Sequence, residues 1–160
     1  MAYRNYQEIN QMFQVYSICT LTIFLKYIFS QVYGSNYNHH PEEDKKLGEL
    51  KVPEDVKRRE RNFLNDLENI PFDFVIFWAA FLVQCFTILS GSGKQETLAL
   101  ICLIVIYSGM RVLYTLFYIC ALQPYRSIVW IIARLAVITT ASVLVSSAFK
   151  VDSAVFLAYF

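Results

Sequence analysis

The sequence contains little charge for its length. Its 160 residues are 56% apolar and only 17% charged, and residues 42–68 hold much of that charge. Long apolar stretches with few charges are typical of integral membrane proteins rather than of soluble domains. There is no basic tail and no nucleic-acid-binding motif, so nucleic acid is not an expected partner.

The sequence also lacks metal-binding patterns. None of its four cysteines forms a C-x-x-C pair or has a metal-like spacing, so no metal site is expected. The cysteines lie in or beside apolar stretches and are expected to be small buried side chains; they are Cys19, Cys85, Cys102 and Cys120. His39 and His40 are adjacent in a polar stretch and are expected to be solvated.

Four apolar segments predict the fold. The candidate helices cover about residues 12–33, 54–90, 97–122 and 126–149, and each contains about the 20 residues needed to cross the hydrocarbon core. The second helix begins before the membrane. The last two connections are short, whereas residues 34–53 form a long one. We therefore predict a single all-α domain over residues 1–160, an integral membrane four-helix up-and-down bundle.

Two further expectations concern individual helices. The first apolar segment is too long for a signal-peptide core and lacks a clear cleavage site, so it is expected to remain as an anchor. Pro71 lies inside the second predicted helix. Because proline lacks a backbone N–H group, it is expected to kink that helix near the membrane surface.

Lysine and arginine residues predict the orientation. Seven of them lie between the first segment and the membrane part of the second helix: Lys45, Lys46, Lys51, Lys57, Arg58, Arg59 and Arg61. Arg126 lies in the turn between the third and fourth helices, whereas the opposite side has only Arg4, Lys94 and Lys150. The positive-inside rule therefore places the long connection in the cytosol or an equivalent compartment, and both termini on the other side.

The second helix carries a one-sided polar stripe where it enters the membrane. Arg58, Arg61, Asn65 and Glu68 have offsets of 0, 3, 7 and 10, which place them within a sector of roughly 80° on a helix. Polar groups at this depth are costly unless they face protein or a wet cavity. The stripe therefore predicts a polar pocket beside this helix.

A second stripe lies on the third helix and consists of Tyr107, Arg111, Tyr114 and Tyr118. A central arginine in a membrane helix costs about 2.5 to 3.5 kcal/mol, so Arg111 is expected to have a partner, for which Glu68 is the natural candidate. Two interpretations stay open: an ion pair that only fixes the packing, or part of a ligand site.

Arg126 and Ser127 begin the fourth predicted helix. Backbone N–H groups and the helix dipole favour an anion there, and an arginine would lower the pKa of a bound thiol from about 8.5 towards neutrality. That is the chemistry of a thiol transferase. The alternative is an arginine that only anchors the helix at the membrane interface. Asp73 and Arg134 are expected to form a buried pair.

Several of these motifs resemble the MAPEG family, the membrane-associated proteins in eicosanoid and glutathione metabolism. The pattern V-x-R-x-x-R-x-x-x-N-D-x-E-N-I, residues 56–70, resembles the family signature, and its LNDLENI part is similar to the microsomal glutathione transferases. Arg111, Tyr114, Thr115 and Tyr118 match the third-helix pattern. Residues 124–127 resemble the turn before the fourth helix, in the RS form typical of microsomal prostaglandin E synthases.

The resemblance implies a MAPEG-like bundle that assembles as a homotrimer in the membrane lipids and binds glutathione, its co-substrate, between subunits near the cytosolic face. A lipophilic electrophile or a lipid hydroperoxide would then approach from the bilayer. The implied glutathione-binding residues are Arg58, Arg61, Asn65, Glu68, Arg111, Tyr114 and Tyr118. The implied catalytic residues are Arg126, which would stabilise the thiolate, and Ser127. The endoplasmic reticulum is the implied location, with a mitochondrial membrane as the alternative.

The sequence also departs from the family pattern. The end of the first helix reads SQVYGSNYNHH, without the basic run that family members often have, and Asp73 and Arg134 add charges where the family is usually uncharged. These departures favour a second hypothesis, a non-catalytic subunit recruited among unlike subunits of a membrane complex, such as a respiratory assembly. A prostaglandin synthase is a third hypothesis, which rests mainly on Arg126 and Ser127.

Overall fold

The computed structural model describes residues 2–35, 54–90 and 94–150. This part of the chain forms four α-helices: α1 (Ala2–Ser35), α2 (Glu54–Leu89), α3 (Lys94–Ile119) and α4 (Tyr125–Ala148). All four are long and apolar enough to cross a membrane. The predicted all-α, four-helix membrane architecture is therefore confirmed. The long connection of residues 34–53, with His39 and His40, lies largely outside the described residues.

The predicted helix bounds need correction at α1 and α3. Helix α1 begins ten residues before the predicted start, since its polar first turns contain no proline or glycine. Its early part is also tied to α2, because the Asn5 side chain donates a hydrogen bond to the carbonyl of Ile88 (3.2 Å). Helix α3 lies three residues nearer the N-terminus than predicted.

Helix α2 crosses from a polar region into an apolar one without interruption. Glu54 and Asp55 lie in its first turn, where acidic side chains interact favourably with the positive end of the helix dipole. The helix continues through Pro71, which is exposed on its surface. One helix therefore carries the polar entry segment and the apolar span.

The four helices pack so that α1 and α4 lie diagonally opposite each other. Helices α2 and α3 contact each other, and each also contacts both α1 and α4, whereas α1 and α4 make no contact within the described residues. The apolar core includes Tyr16, Phe77, Leu100 and Ile104. This arrangement brings polar side chains from α2 and α3 to the centre of the bundle.

The outer surface of the bundle is strongly apolar. Phe72, Val75 and Ile138 are more than 60% exposed, and all four helices carry exposed large apolar side chains. A surface of this kind suits a lipid environment. Cys102 and Cys120 also lie exposed on this single chain, so the expectation that all four cysteines are buried is wrong for these two.

A tight turn joins α3 to α4. The N–H of Leu122 bonds to the carbonyl of Phe117 (3.0 Å), and the N–H of Ala121 bonds to that of Tyr118 (3.3 Å). With Ala121 at a φ of 57°, this is the Schellman pattern that ends many helices. The turn holds the end of α3 beside the first turn of α4.

Candidate functional site

Three cavities are lined by predicted site residues, and the largest of the three lies where α2, α3 and α4 meet, with a volume of about 350 Å³. Its lining residues are Asn65, Tyr114, Arg126, Ser127, Trp130 and Ile131. Four of the nine residues predicted to form the site therefore face one space. The two apolar residues belong to the outward surface of α4, so the cavity has a polar floor and an apolar edge.

Two smaller cavities of about 190 Å³ each lie at the same end of the bundle. One is lined by Tyr33, Asp55, Arg58, Arg59, Asn62, Tyr118 and Ile119. The other is lined by Glu54, Arg58, Phe117, Tyr118, Ala121, Leu122, Gln123 and Arg126. The two smaller cavities share Arg58 and Tyr118. Arg126 lines the second of them and the largest cavity. We refer to the three cavities together as the polar groove.

The polar groove lies at one end of the bundle, which the distribution of basic residues predicts to be the cytosolic end. Arg126 is in the first turn of α4, and its guanidinium lies over the ring of Tyr118, 4.5 Å from the centroid. Such cation–π contacts orient the arginine without neutralising it. Arg126 therefore keeps its charge available to an anion in the groove.

Arg59 is a groove residue that the sequence reasoning missed. Its guanidinium lies 4.2 Å from the centroid of the Tyr33 ring at the end of α1, and it lines a small cavity together with Arg58. The sequence did indicate that Arg59 faces a different side of the helix from Arg58, because the two residues are adjacent. The contact with α1 could not be predicted from α2 alone.

Arg111 lies beside the groove rather than in it. The side chain is 1% exposed, and its Nη2 donates to Asp73 Oδ2 (2.9 Å). Its Nη1 donates to Asn65 Oδ1 (3.2 Å). The expected pair with Glu68 is therefore wrong, because Glu68 lies on the exposed side of α2 while Asp73, five residues further on, faces Arg111.

Asp73 is the centre of this buried arrangement. It accepts a hydrogen bond from the Tyr107 hydroxyl (2.6 Å) and two from Arg134, from Nη1 (3.0 Å) and Nη2 (2.7 Å). The expected Asp73–Arg134 pair is thus confirmed, with Asp73 buried and the Arg134 side chain 23% exposed, and Arg111 is a second cation on the same carboxylate. A buried carboxylate with several charge-assisted hydrogen bonds satisfies the polar groups of three helices at once.

A second buried pair was not predicted. Lys26 of α1 forms an ion pair with Asp66 of α2, and both side chains are almost fully buried. Close by, Asn62 donates to the hydroxyl of Ser30 (2.7 Å). The signal was the spacing of Asn62, Asp66 and Asp73, which share one face of α2 within roughly 40°. We refer to Lys26, Asp66, Arg111, Asp73 and Arg134 as the buried ion cluster.

The remaining predicted site residues lie outside the groove. Arg61 and Glu68 are exposed on α2 and line none of the three cavities. Arg61 lies 3.6 Å from the carboxylate of Glu54 in an exposed pair. Exposed pairs of this kind contribute little to stability. The side chains of Arg61 and Glu68 are therefore accessible to another molecule.

The groove has the chemistry of a site for an elongated anion. Arg58, Arg59 and Arg126 supply positive charge along its length, and Asn65 and Ser127 supply neutral hydrogen-bonding groups. Three cations therefore face two carboxylates there, since Glu54 and Asp55 also line the smaller cavities and Asp55 lies 3.4 Å from Arg59. Arginine favours carboxylates because its planar fork donates two parallel hydrogen bonds. The apolar edge at Trp130 and Ile131 would admit a second, lipophilic molecule from the bilayer.

Comparison with known proteins identifies the family of this chain. The sequence pattern that describes the MAPEG family matches residues 12–146, which is most of the chain. The match identifies the family and not a particular member within it. No curated protein and no solved structure matches the chain.

Proposed function

We propose a specific glutathione-dependent activity, because the chain belongs to the MAPEG family. Membership of this family supports a glutathione-related function of the transferase or isomerase type in general terms. The protein is a membrane glutathione transferase or peroxidase that activates the glutathione thiol against lipophilic electrophiles or lipid hydroperoxides. Glutathione is its co-substrate, and the polar groove is its binding site.

One observation carries this proposal: Asn65, Tyr114, Arg126 and Ser127 line a single cavity of about 350 Å³. These residues come from three helices and were predicted from separate motifs. A cavity of this volume falls within the usual range of small-molecule sites. Its apolar edge is where a membrane-dissolved substrate would meet a thiolate held near Arg126.

In the proposed reaction Arg126 stabilises the glutathione thiolate, and Ser127 donates a hydrogen bond to it. The thiol proton leaves to solvent. The sulfur then forms a bond to an electrophilic carbon, whose leaving group departs with the bonding electrons. With a hydroperoxide the sulfur instead attacks the terminal oxygen, the O–O bond breaks, and a second glutathione completes the reduction to give water, an alcohol and the disulfide.

A carboxylate of glutathione would occupy the small cavity that Arg126 does not line. Arg58 and Arg59 line this cavity together with Asp55, and Arg58 also lines the other small cavity together with Arg126. We assign Arg58 and Arg59 to a carboxylate of the peptide. Arg59 reaches Tyr33 at the end of α1, so it supplies a cation at the place where the first helix lacks a basic run.

We also propose a homotrimer in the endoplasmic reticulum, with a mitochondrial membrane as the alternative location. The exposed side chains of Arg61 and Glu68 support assembly, since charged groups at the entry of a membrane helix are costly unless covered. A neighbouring subunit would bring these two residues next to the groove, where they would contact the bound glutathione.

The test is a titration of the purified protein in detergent with glutathione, followed by thiolate absorbance. The wild-type protein is expected to give a stoichiometric thiolate signal, and Arg126→Ala is expected to lose it because the cation beside the sulfur is gone. Lys57→Ala is the matched control, since Lys57 is an exposed cation that lines none of the cavities. No thiolate signal in well-folded wild-type protein would refute the proposal.

A non-catalytic subunit of a larger membrane complex is the second candidate. It is favoured by Asp73, whose carboxylate pairs with both Arg111 and Arg134 of its own subunit, so that these charges are neutralised without a ligand. Purification from native membranes under mild conditions separates the two candidates. A single copy among unlike subunits supports the accessory role, whereas a free homotrimer supports the enzyme.

A further inference from the structure

The buried ion cluster touches the polar groove through one side chain, Asn65. Asn65 lines the largest cavity, and its Oδ1 accepts a hydrogen bond from Arg111 Nη1 (3.2 Å). A guanidinium has only donors, so the amide oxygen of Asn65 must be the atom that faces it. The amide nitrogen, with its two N–H groups, is left for the groove.

Asp73 determines where Arg111 points. Arg111 Nη2 donates to Asp73 Oδ2 (2.9 Å), and the Tyr107 hydroxyl donates to the same oxygen (2.6 Å). The Tyr107 oxygen in turn accepts from Arg111 Nε (3.2 Å). With Nε and Nη2 held in this way, Nη1 is the nitrogen directed at Asn65.

We propose that Asp73 is a positioning residue for glutathione. It holds Arg111, and Arg111 fixes the Asn65 amide so that its N–H groups face the groove and donate to an oxygen of the bound peptide. Asp73 itself is 2% exposed and lines none of the cavities, so its effect on the ligand passes through two other side chains. This inference rests on the proposed function.

The loss of Asp73 has a defined consequence, because Arg111 has a second anion within reach. Asp66 Oδ1 lies 4.0 Å from Arg111 Nη1. A buried guanidinium that loses its main partner moves to the nearest remaining carboxylate, since an unpaired charge in the bundle is costly. In that movement Nη1 would leave Asn65, and the amide would be free to turn its oxygen towards the groove.

A double-mutant cycle tests this chain of contacts by calorimetric titration of the full-length protein with glutathione. Asp73→Asn is expected to weaken binding about tenfold, the effect of one misdirected hydrogen bond to a charged ligand. Asn65→Ala is expected to weaken it to a similar extent. The double variant should bind no more weakly than Asn65→Ala alone, because residues that act through one contact are not additive.

Arg134→Gln is the matched control. It removes the other cation on Asp73 but leaves the Asp73–Arg111–Asn65 contacts in place, so its glutathione affinity should equal that of the wild type. If Asp73→Asn does not fold, Asp73→Asn with Arg134→Gln leaves no unpaired guanidinium on α4. That variant is then compared with Arg134→Gln by the same titration.

The outcomes separate this inference from the proposed function. Wild-type affinity in a folded Asp73 variant, or additive effects of Asp73→Asn and Asn65→Ala, would overturn the positioning role and leave the enzyme proposal intact. An equal loss of affinity in Arg134→Gln would also overturn it, because the effect would then follow from general disruption of the cluster. No binding by the wild type overturns both.

Discussion

At the scale of single residues, the bundle keeps its buried charges paired across helices. Lys26 and Asp66 join α1 to α2, and Arg111 and Arg134 bring α3 and α4 to Asp73. Pairs of this kind add little net stability over apolar side chains, but breaking one of them leaves an uncompensated charge. They therefore favour one way of packing the four helices over others.

We expect Lys26→Met to destabilise the protein by about 3 to 5 kcal/mol, because Asp66 loses its closest cation. The measurement is the free energy of unfolding of detergent-solubilised protein in a denaturant titration. The control is the double variant Lys26→Met with Asp66→Leu, which removes both charges and should recover most of the loss. Unchanged stability of the single variant would contradict the structural role of this pair.

At the scale of elements, α2 has two polar faces with different roles. The stripe of Arg58, Arg61, Asn65 and Glu68 follows the helical repeat as expected, but only Arg58 and Asn65 line the groove. The buried face carries Asn62, Asp66 and Asp73 instead. Which of two neighbouring stripes faces the bundle depends on the rotation of the helix, and the packing of the other three helices fixes that rotation.

The turn between α3 and α4 gives a prediction about backbone strain. Ala121 has a φ of 57°, a left-handed conformation that costs an L-residue about 1 to 2 kcal/mol and glycine almost nothing. We expect Ala121→Gly to stabilise the protein by about 1 kcal/mol in the same denaturant titration. Ala141→Gly, inside α4, should change stability by about the same amount in the opposite direction, and a loss of stability in both variants would contradict the turn geometry.

At the scale of the whole molecule, the groove end of the bundle is predicted to face the cytosol. The end of α1, the start of α2, the end of α3 and the start of α4 all meet at this end, as Tyr33, Arg58, Tyr118 and Arg126 show. Glutathione is soluble in water, so a site at this end is accessible to it, while the apolar surface of α4 remains in contact with lipid.

This orientation can be tested with a variant whose only cysteine is Cys120, which is exposed at the end of α3. A membrane-impermeant maleimide should label it in membranes only from the cytosolic side. The control carries Ser146→Cys in a background without other cysteines, since Ser146 is exposed near the other end of α4. It should be labelled only from the opposite side, and the reverse pattern would show that the orientation is wrong.

The sequence by itself determined the architecture. Four apolar segments of membrane length and the short connections after the second and third of them lead to a four-helix bundle, because the bilayer tolerates few other structures. The motifs on α2, α3 and α4 were also sufficient to name Asn65, Tyr114, Arg126 and Ser127, which one cavity brings together.

Only the tertiary structure decided how the charges are paired. Helical periodicity gives the face of the helix on which a residue lies, but not the rotation or the depth of the neighbouring helices. Glu68 and Asp73 were therefore both possible partners for Arg111, and Lys26 had no evident partner. Arg111 lies against Asp73 because α2 turns that carboxylate inward, where Arg134 of α4 also meets it. Pairing depends on distances between helices, and these distances are a property of the packed bundle.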